Sequence, residues 1–366
     1  MLEASIFDKI LAAAVQLGTS DIHIKVGAPF MIRDGDDIVA GTEDRLDADD
    51  VSRIVRRILE SSGRGSSQQH LQNLDDLSDY DTSFSLPGVG RYRVNIGRQR
   101  GSLTLTIRVI PHTVPDIDSL RLPEVLKEIS IAPRGLVLVT GTTGSGKSTT
   151  LAAMLNHINQ TVARKVVTIE DPIEFLLRDK ESYILQREVG GDTASFGSAL
   201  RAALRQDPDV IMVGELRDRE TVEIAMKAAE TGHTVFSTVH TSSAEGTIIR
   251  LLGVFDPTEQ AAVRGRLVDN LISIISQRLV IRSDEHGRVA AVEVMRMTSA
   301  IKERITTADP KGFTDLIEQG WNPYQMQTFD QALTRLFKEK IISFETGLAS
   351  ATSPSNFKRN LMYEGS

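Results

Sequence analysis

The stretch LVLVTGTTGSGKST, residues 136–149, decides how the chain is read. A strand-like run, LVLVT (136–140), leads directly into GTTGSGKST (141–149). The second piece satisfies G-x-x-x-x-G-K-[ST] with Gly141, Gly146, Lys147 and Ser148, and a helical pattern starts near Thr149. Each residue type has a chemical reason. Glycines let a loop curl until its backbone N–H groups converge on phosphate oxygens. Lys147 supplies charge for β- and γ-phosphates, Ser148 a hydroxyl for Mg2+, and the helix start a favourable dipole. The whole loop, Gly141, Thr142, Thr143, Gly144, Ser145, Gly146, Lys147, Ser148 and Thr149, is therefore the candidate site for ATP or ADP.

Outward from this loop, strand-like runs recur at VVTI (166–169), VIMV (210–213) and TVFSTV (234–239), with helical stretches between them. Such alternation from about Leu120 predicts a parallel, doubly wound α/β sheet. After about Val294 the pattern is mostly helical, as in QALTRLFKEK (331–340).

Acids gather where these strands end. TIEDPIEF (168–175) carries Glu170, Asp171 and Glu174 at the carboxyl end of a strand, where open α/β sheets bind ligands. Carboxylates beside a polyphosphate need a cation or a water between them, so Glu170 and Asp171 join Ser148 as candidate Mg2+ ligands and Glu174 is a catalytic candidate. A solvated acidic loop is the competing reading. In DPDVIMVGELRD (207–218) an apolar strand ends in an acid. Gly214 stands where many P-loop enzymes carry an Asp, and Glu215 follows as the candidate base that deprotonates water. ETGHTVFSTVHT (230–241) brackets a strand with His233 and His240, and His240 is the candidate γ-phosphate contact.

The first hundred or so residues have a different texture, with short strands and turns. IHIKV (22–26) and FMIR (30–33) precede a turn at Asp34-Gly35-Asp36. A helix is predicted from Asp49 to Glu60, with Val51, Ile54, Val55, Ile58 and Leu59 as its apolar stripe. SSGRGSSQQ (61–69) reads as a mobile insertion. Two hairpin arms, RYRVNIGRQR (91–100) and SLTLTIRVI (102–110), meet near Gly101. Their alternation sends Tyr92, Val94, Ile96, Leu103, Leu105, Ile107 and Val109 inward, and Arg91, Arg93 and Arg108 outward. That outward side is either a solvated face or a binding one. The proline-bearing stretch 111–125 reads as a linker.

Composition narrows the classes. With 366 residues, 40% of them apolar and 25% charged, the chain can bury two ordinary domains. Its 42 Lys and Arg against 49 Asp and Glu, a net −7, argue against duplex nucleic acid as partner. The 12 Phe, 5 Tyr and 1 Trp are few for a base-stacking platform. Zero cysteines exclude disulfides and thiolate chemistry and fit a cytosolic protein. The opening MLEASIFDKILAAAVQLG lacks a basic n-region; it predicts a helix with Ile6, Ile10, Ala14 and Leu17 on one face. No apolar run approaches the roughly 20 residues of a membrane span. The expectation is a cytoplasmic protein whose membrane association comes through partners.

GTTGSGKS, TIEDPIE, VGELRD and TGHTVFSTVHT, in this order, resemble the Walker A, Asp, Walker B and His boxes of secretion and type IV pilus ATPases. SDIHIKVG (20–27), GRYRVNIGRQR (90–100), QREVG (186–190) and MQTFDQAL (326–333) are similar to the PilT/PilU type of retraction motor, and the likeness runs from about Thr19 to Phe337. It implies a homohexameric Mg2+-dependent ATP hydrolase that powers type IV pilus retraction and twitching motility. Its fold would be a PAS-like α+β N-terminal domain (1–112), a linker (113–119) and a RecA-like P-loop ATPase domain with a helical tail (120–366). By this likeness Glu215 is the catalytic glutamate, Glu170, Asp171 and Glu174 are the Asp-box acids, and His233 and His240 form the His-box pair. Arg91, Arg93 and Arg108 match arginines that approach nucleotide across a domain or subunit boundary. The implied partners are an inner-membrane pilus platform protein and a paralogous retraction ATPase. One segment departs from the pattern: where the main motors carry AIRNLIRE, this chain reads AIKERITT (300–307), and the following DPKGFTDLIEQGWNPYQMQTFDQAL with the tail through Ser366 leans slightly toward accessory PilU-like paralogues, which leaves the choice of paralogue open.

Three rivals remain open at this point. A pilus-assembly or type II secretion ATPase usually carries further N-terminal domains and often a four-cysteine loop, which this chain lacks. A DNA translocase on a RecA-like core is disfavoured by the charge balance and scarce aromatics. A nucleotide-dependent scaffold that does not hydrolyse would have no use for Glu215.

Overall fold

The computed structural model describes residues 4–35, 37–62, 65–111, 113–284, 286–308 and 312–363. Several expected features fall partly outside them: Asp36 of the first turn, Gly63 and Arg64 of the glycine–serine stretch, and His112 of the linker. By compactness the chain divides into two units. The first takes Met1–Val114 and, from further along, Glu170–Leu177 and Arg187–Ser195; the second takes the rest. No sign of those two returning segments is present in the linear pattern.

The first unit is an α+β layer built on a six-stranded antiparallel sheet. Its strands are β1 (Asp21–Lys25), β2 (Met31–Asp34), β3 (Asp37–Ala40), β4 (Tyr80–Leu86), β5 (Gly90–Gln99) and β6 (Ser102–Val109). They lie in the order β3-β2-β1-β6-β5-β4. Arg100 and Gly101 connect β5 to β6 with φ of 52° and 81°, the two left-handed residues that a tight hairpin turn needs. As the alternation predicts, Tyr92, Val94, Ile96, Leu105 and Ile107 are buried. The helix Ala48–Ser61 covers them with Val51, Ile54, Val55, Ile58 and Leu59. Asp47 caps that helix and Asp50 reciprocates, a capping box worth about 1 kcal/mol.

Two expectations fail here for identifiable reasons. Residues 65–69 open a helix, Gly65–Gln72, where a mobile insertion was expected. Ser67 is buried and shares a hydrogen bond with the Tyr80 hydroxyl, so tertiary contacts override the glycine–serine composition. In the first helix, Ala4–Leu17, the buried row is Phe7, Leu11 and Ala14, while Ile6 is 39% and Leu17 73% exposed. Phe7 packs against Phe30 and Phe84, and that aromatic anchor sets the helix's rotation.

The second unit holds a seven-stranded sheet in the order β13-β12-β7-β11-β10-β8-β9. The strands are β7 (Gly135–Thr140), β8 (Lys165–Glu170), β9 (Tyr183–Glu188), β10 (Val210–Val213), β11 (Thr234–Val239), β12 (Leu271–Ile281) and β13 (Arg288–Arg296). From β12 through β7, β11 and β10 to β8 the pairing is parallel, and β13 closes on β12 antiparallel. Every residue of β7, β10 and β11 is buried, as strands covered on both faces must be. The β12–β13 pair was absent from the sequence reading; the helical tail packs on it through Val280, Val289, Phe329, Leu333 and Phe357. Within that layer the Arg278 guanidinium lies 3.8 Å from the Phe329 ring centre and donates to the Ser350 carbonyl at 3.1 Å.

Candidate active site

The glycine-rich loop leaves the carboxyl end of β7 and runs into the helix Lys147–Thr161. Gly141 has φ 153° and Gly146 φ 88°, conformations that side-chain-bearing residues rarely adopt. A Cβ on Gly141 would come within 2.6 Å of the Gln277 carbonyl oxygen, and one on Gly146 within 2.9 Å of the Gln277 amide nitrogen. The loop is thus a cradle fitted to its neighbours on one side. On the other side Thr142, Thr143, Gly144 and Ser148 are exposed. Buried Lys147 donates its Nζ to the carbonyls of Gly141 at 3.0 Å and Thr142 at 2.9 Å. The buried Ser145 Oγ has no hydrogen-bond partner among the described residues. Convergent amides, a helix start and a buried ammonium suit an anion.

Two parts of this site escaped the sequence reading. Gln277 on β12 is buried and donates its amide to the Ser145 carbonyl, so it buttresses the loop from beneath. Beside the loop lies a cavity of about 260 Å3 lined by Leu120, Leu122, Leu279 and Val289 together with Gly146 and Thr149. Arg121, Arg282 and Arg288 line it as well, so its walls mix apolar side chains with cations beside the anion cradle. More than a hundred residues separate 120–122 from 277–290, so no local spacing could have joined them.

Glu215 follows β10 at the same carboxyl edge of the sheet. The backbone around it is pinned: Gly214 N–H donates to the Ile169 carbonyl at 2.8 Å and Leu216 N–H to the Thr238 carbonyl at 3.0 Å. A Cβ at Gly214 would lie 3.3 Å from both the Ile169 carbonyl oxygen and the Phe196 ring, which explains a glycine where related loops carry an acid. Glu215 is mostly buried and pairs through Oε1 with Arg217. Its Oε2 has no hydrogen-bond partner among the described residues and sits 3.6 Å from His240 Nε2. Burial, and then the nearby Lys147 ammonium, hold the His240 imidazole below its ordinary range, with Glu215 pulling the other way. That lowering favours the neutral form of the His240 imidazole. Lys147, Glu215 and His240 are therefore brought together.

His233 is not. It precedes β11, and Gly135 at the opposite end of β7 donates its N–H to the His233 carbonyl at 2.9 Å. Six strand residues at about 3.3 Å each put it roughly 20 Å from the loop of its own chain. Its Nδ1 lies 2.9 Å from the Ala228 carbonyl, which makes it a local structural contact.

The remaining candidates belong to the first unit. Glu170 closes β8, and Asp171 and Glu174 are exposed on the segment that follows. Arg91, expected at nucleotide, instead donates to Glu188 Oε2 at 2.9 Å and to Ser85 and Ser83 at 3.0 Å. Glu188 is fully buried; although burial alone would raise its pKa, bonds from Ser83 and Arg91 bring it below the ordinary carboxylate value. Arg93 and Arg108 do face outward: Arg108 is 65% exposed and bonded to Asp21 at 2.9 Å. No group of three or more His, Cys, Asp or Glu residues poised for a metal occurs among the described residues. None of the described helices is long and apolar enough to cross a membrane.

Known proteins share both the sequence and this arrangement. The Type II/IV secretion system protein family matches residues 104–340. The type IV pilus retractation ATPase PilT of Pseudomonas aeruginosa is 43% identical over 349 residues, 95% of this chain and 99% of that protein. PilU of the same organism, a type IV pilus ATPase, is 35% identical over 352 residues, 96% of this chain and 90% of that one. The crystal structure of the pilus retraction motor PilT with bound ADP superposes with a TM-score of 0.83 at 41% identity, covering 98% of this chain and 100% of that one. A full-length likeness in sequence and in fold places the chain in the Type II/IV secretion system protein family, among its pilus retraction ATPases.

Proposed function

We propose that this chain is the subunit of a homohexameric ATP-hydrolysing motor that retracts a type IV pilus and so drives twitching motility. The observation that carries the reading is the open Oε2 of Glu215 beside His240, on the sheet edge that also presents the Lys147 loop. The ADP held by the solved PilT relative supports a nucleotide at the loop, and the unpartnered Ser145 Oγ and glycine cradle fit its phosphates.

In this reading Lys147 exchanges the Gly141 and Thr142 carbonyls for β- and γ-phosphate oxygens. Loop amides and the helix start hold the rest of the polyphosphate, and the cavity beside Thr149 takes the base. Ser148 would hold Mg2+ directly, with Glu170 and Asp171 among its further candidate ligands. A site completed mainly by phosphate and water suits this ion and needs no dedicated cage of protein ligands. Bound there, Mg2+ supplies charge neutralisation at the phosphates. Glu215 Oε2 takes a proton from the attacking water, Glu174 assists from the acidic loop, and His240 donates to the terminal phosphate. Arg93 and Arg108 reach the nucleotide of a neighbouring subunit. In this reading an N-terminal domain of 1–112 and an ATPase domain of 120–366 flank a short linker, and the motor works in the cytoplasm against an inner-membrane platform protein, alongside a paralogous retraction ATPase.

One experiment tests chemistry and direction together. Glu215→Gln protein should bind ATP as the wild type does yet turn it over about 10²-fold or more slowly, while Lys147→Ala protein loses affinity. Cells carrying Glu215→Gln should keep surface pili and lose twitching. Undiminished turnover removes the base assignment, and loss of pili in place of motility makes the protein an assembly motor.

A further inference from the structure

The acidic segment that carries Asp171 and Glu174 is tied to a buried carboxylate at the end of another strand. Glu188, at the end of β9, is fully buried, and its two oxygens receive three donors. Ser83 Oγ donates to Oε1; Arg91 Nη2 donates to Oε2 at 2.9 Å and the Ile173 backbone N–H to the same oxygen at 3.1 Å. Ile173 lies between Asp171 and Glu174 and is itself buried. A second tie fixes the start of the segment, where Val189 N–H donates to the Glu170 carbonyl at 2.8 Å. The far side of Glu188 is braced as well: its own N–H donates to Asp192 Oδ2 at 2.8 Å, and Asp192 N–H returns to the Glu188 carbonyl at 2.8 Å.

A buried charge is tolerated only when paired and fully hydrogen-bonded, and breaking one partner of such a pair is costly. Arg91 supplies the paired charge for Glu188, Ser83 donates to Oε1, and the Ile173 N–H joins Arg91 on Oε2. The backbone at 173 is thereby positioned by charge-assisted bonds, roughly twice as strong as neutral ones. We infer that Glu188 is the positioning residue of the acidic loop, with Arg91 and Ser83 as its support, so that Asp171 and Glu174 are presented in one fixed geometry for turnover. This rests on the proposed role of those two acids. It also gives Arg91, which the family resemblance sets near nucleotide, a task within its own unit.

The test uses the full-length chain and measures steady-state ATP turnover, thermal melting, and amide exchange at Ile173. Glu188→Ala should speed Ile173 exchange at least tenfold and cut kcat by tenfold or more, with KM for ATP changed less than threefold, at temperatures well below its melting point. Glu188→Gln should recover at least a third of kcat, because an amide oxygen can replace Oε2 and its NH2 can donate to Ser83. Ser83→Ala, which spares the charge pair, should give an intermediate loss. Adding Glu174→Gln to Glu188→Ala should cost little beyond the larger single loss, as expected of residues acting through one another. Slow Ile173 exchange in Glu188→Ala, or kcat losses that multiply in the double variant, overturn the positioning role while leaving the acids' role intact. Wild-type turnover in both Asp171→Asn and Glu174→Gln proteins overturns the acids' role and this inference with it.

Discussion

Arg93 and Arg108 stand directly opposite one another in the antiparallel register of β5 and β6, both on the exposed side of the sheet. Like charges facing each other across strands are destabilising, by up to about 1 kcal/mol. Asp21 relieves Arg108, whereas the Arg93 side chain has no ion pair or hydrogen bond among the described residues. Retaining both arginines makes sense if an anion from another subunit completes the group. Arg93→Ala should therefore lower ATP turnover of the assembled protein by about 10³-fold, the scale of an arginine acting on a transferring phosphate. Its melting temperature should hold or rise slightly. A large fall in melting temperature with normal turnover would make the arginine a structural residue.

Gly146 meets two constraints at once, a φ of 88° and the Gln277 amide 2.9 Å from where a Cβ would stand. Gly144 meets only the first, since nothing lies within 4 Å of its Cβ position. Both alanine variants should carry a backbone cost of about 1–2 kcal/mol. Gly146→Ala alone should also displace Gln277 and raise KM for ATP, at least tenfold more than Gly144→Ala does. Equal KM values would show that Gln277 gives way freely.

The lowered pKa of His240 gives stability a defined dependence on pH. Its ordinary value is 6.5, and burial, then Lys147, bring the folded value beneath that. As pH falls, the unfolded chain takes up this proton first. The contribution of His240 is therefore complete above about pH 6.5 and is lost as pH falls toward the folded value. Between about pH 7.5 and 5.5 the wild type should lose more melting temperature than His240→Gln. An imidazole titration followed by NMR should show a midpoint below 6.5 for His240, and one at or above it would contradict the assignment.

The rotation of the first helix is open to a paired test. Leu11→Ala, which empties a fully buried position, should cost about 2–5 kcal/mol in urea unfolding. Leu17→Ala, at an exposed one, should stay within about 0.5 kcal/mol. A reversed order would restore the face drawn through Ile6, Ile10, Ala14 and Leu17, of which the structure buries only Ala14.

These cases mark what a linear pattern can carry. The 141–149 loop, Glu215 and His240 were legible because each follows its own strand directly, and a parallel sheet delivers successive strand ends to one edge. His233 shares the motif of His240 but sits before the strand, so the same topology sends it to the far edge. Gln277, the Leu120–Leu279 cavity and the Glu188–Arg91 pair were hidden because each joins residues from distant parts of the chain. The helix at 65–72 was hidden for another reason: its composition favours a loop, and a buried contact between Ser67 and Tyr80 outweighs that preference. On the first helix the row read from periodicity was the wrong one apart from Ala14, because the aromatic contacts of Phe7 turn the neighbouring row inward.

Consecutive residues on β12 serve opposite faces of its sheet. Gln277 reaches the glycine loop, and Arg278 stacks on Phe329 in the helical tail. Their strand begins with an irregularity, since its pairing with β7 skips a residue between Leu271 and Ser273. A one-residue slip in a strand sends every side chain to the other face. Such a slip would here drive a guanidinium under Gly146 and leave a shorter amide facing the Phe329 ring, an error on both faces at once. The two side chains thus act as a lock on alignment. One strand thus carries a contact to the nucleotide cradle on one face and a contact to the helical tail on the other.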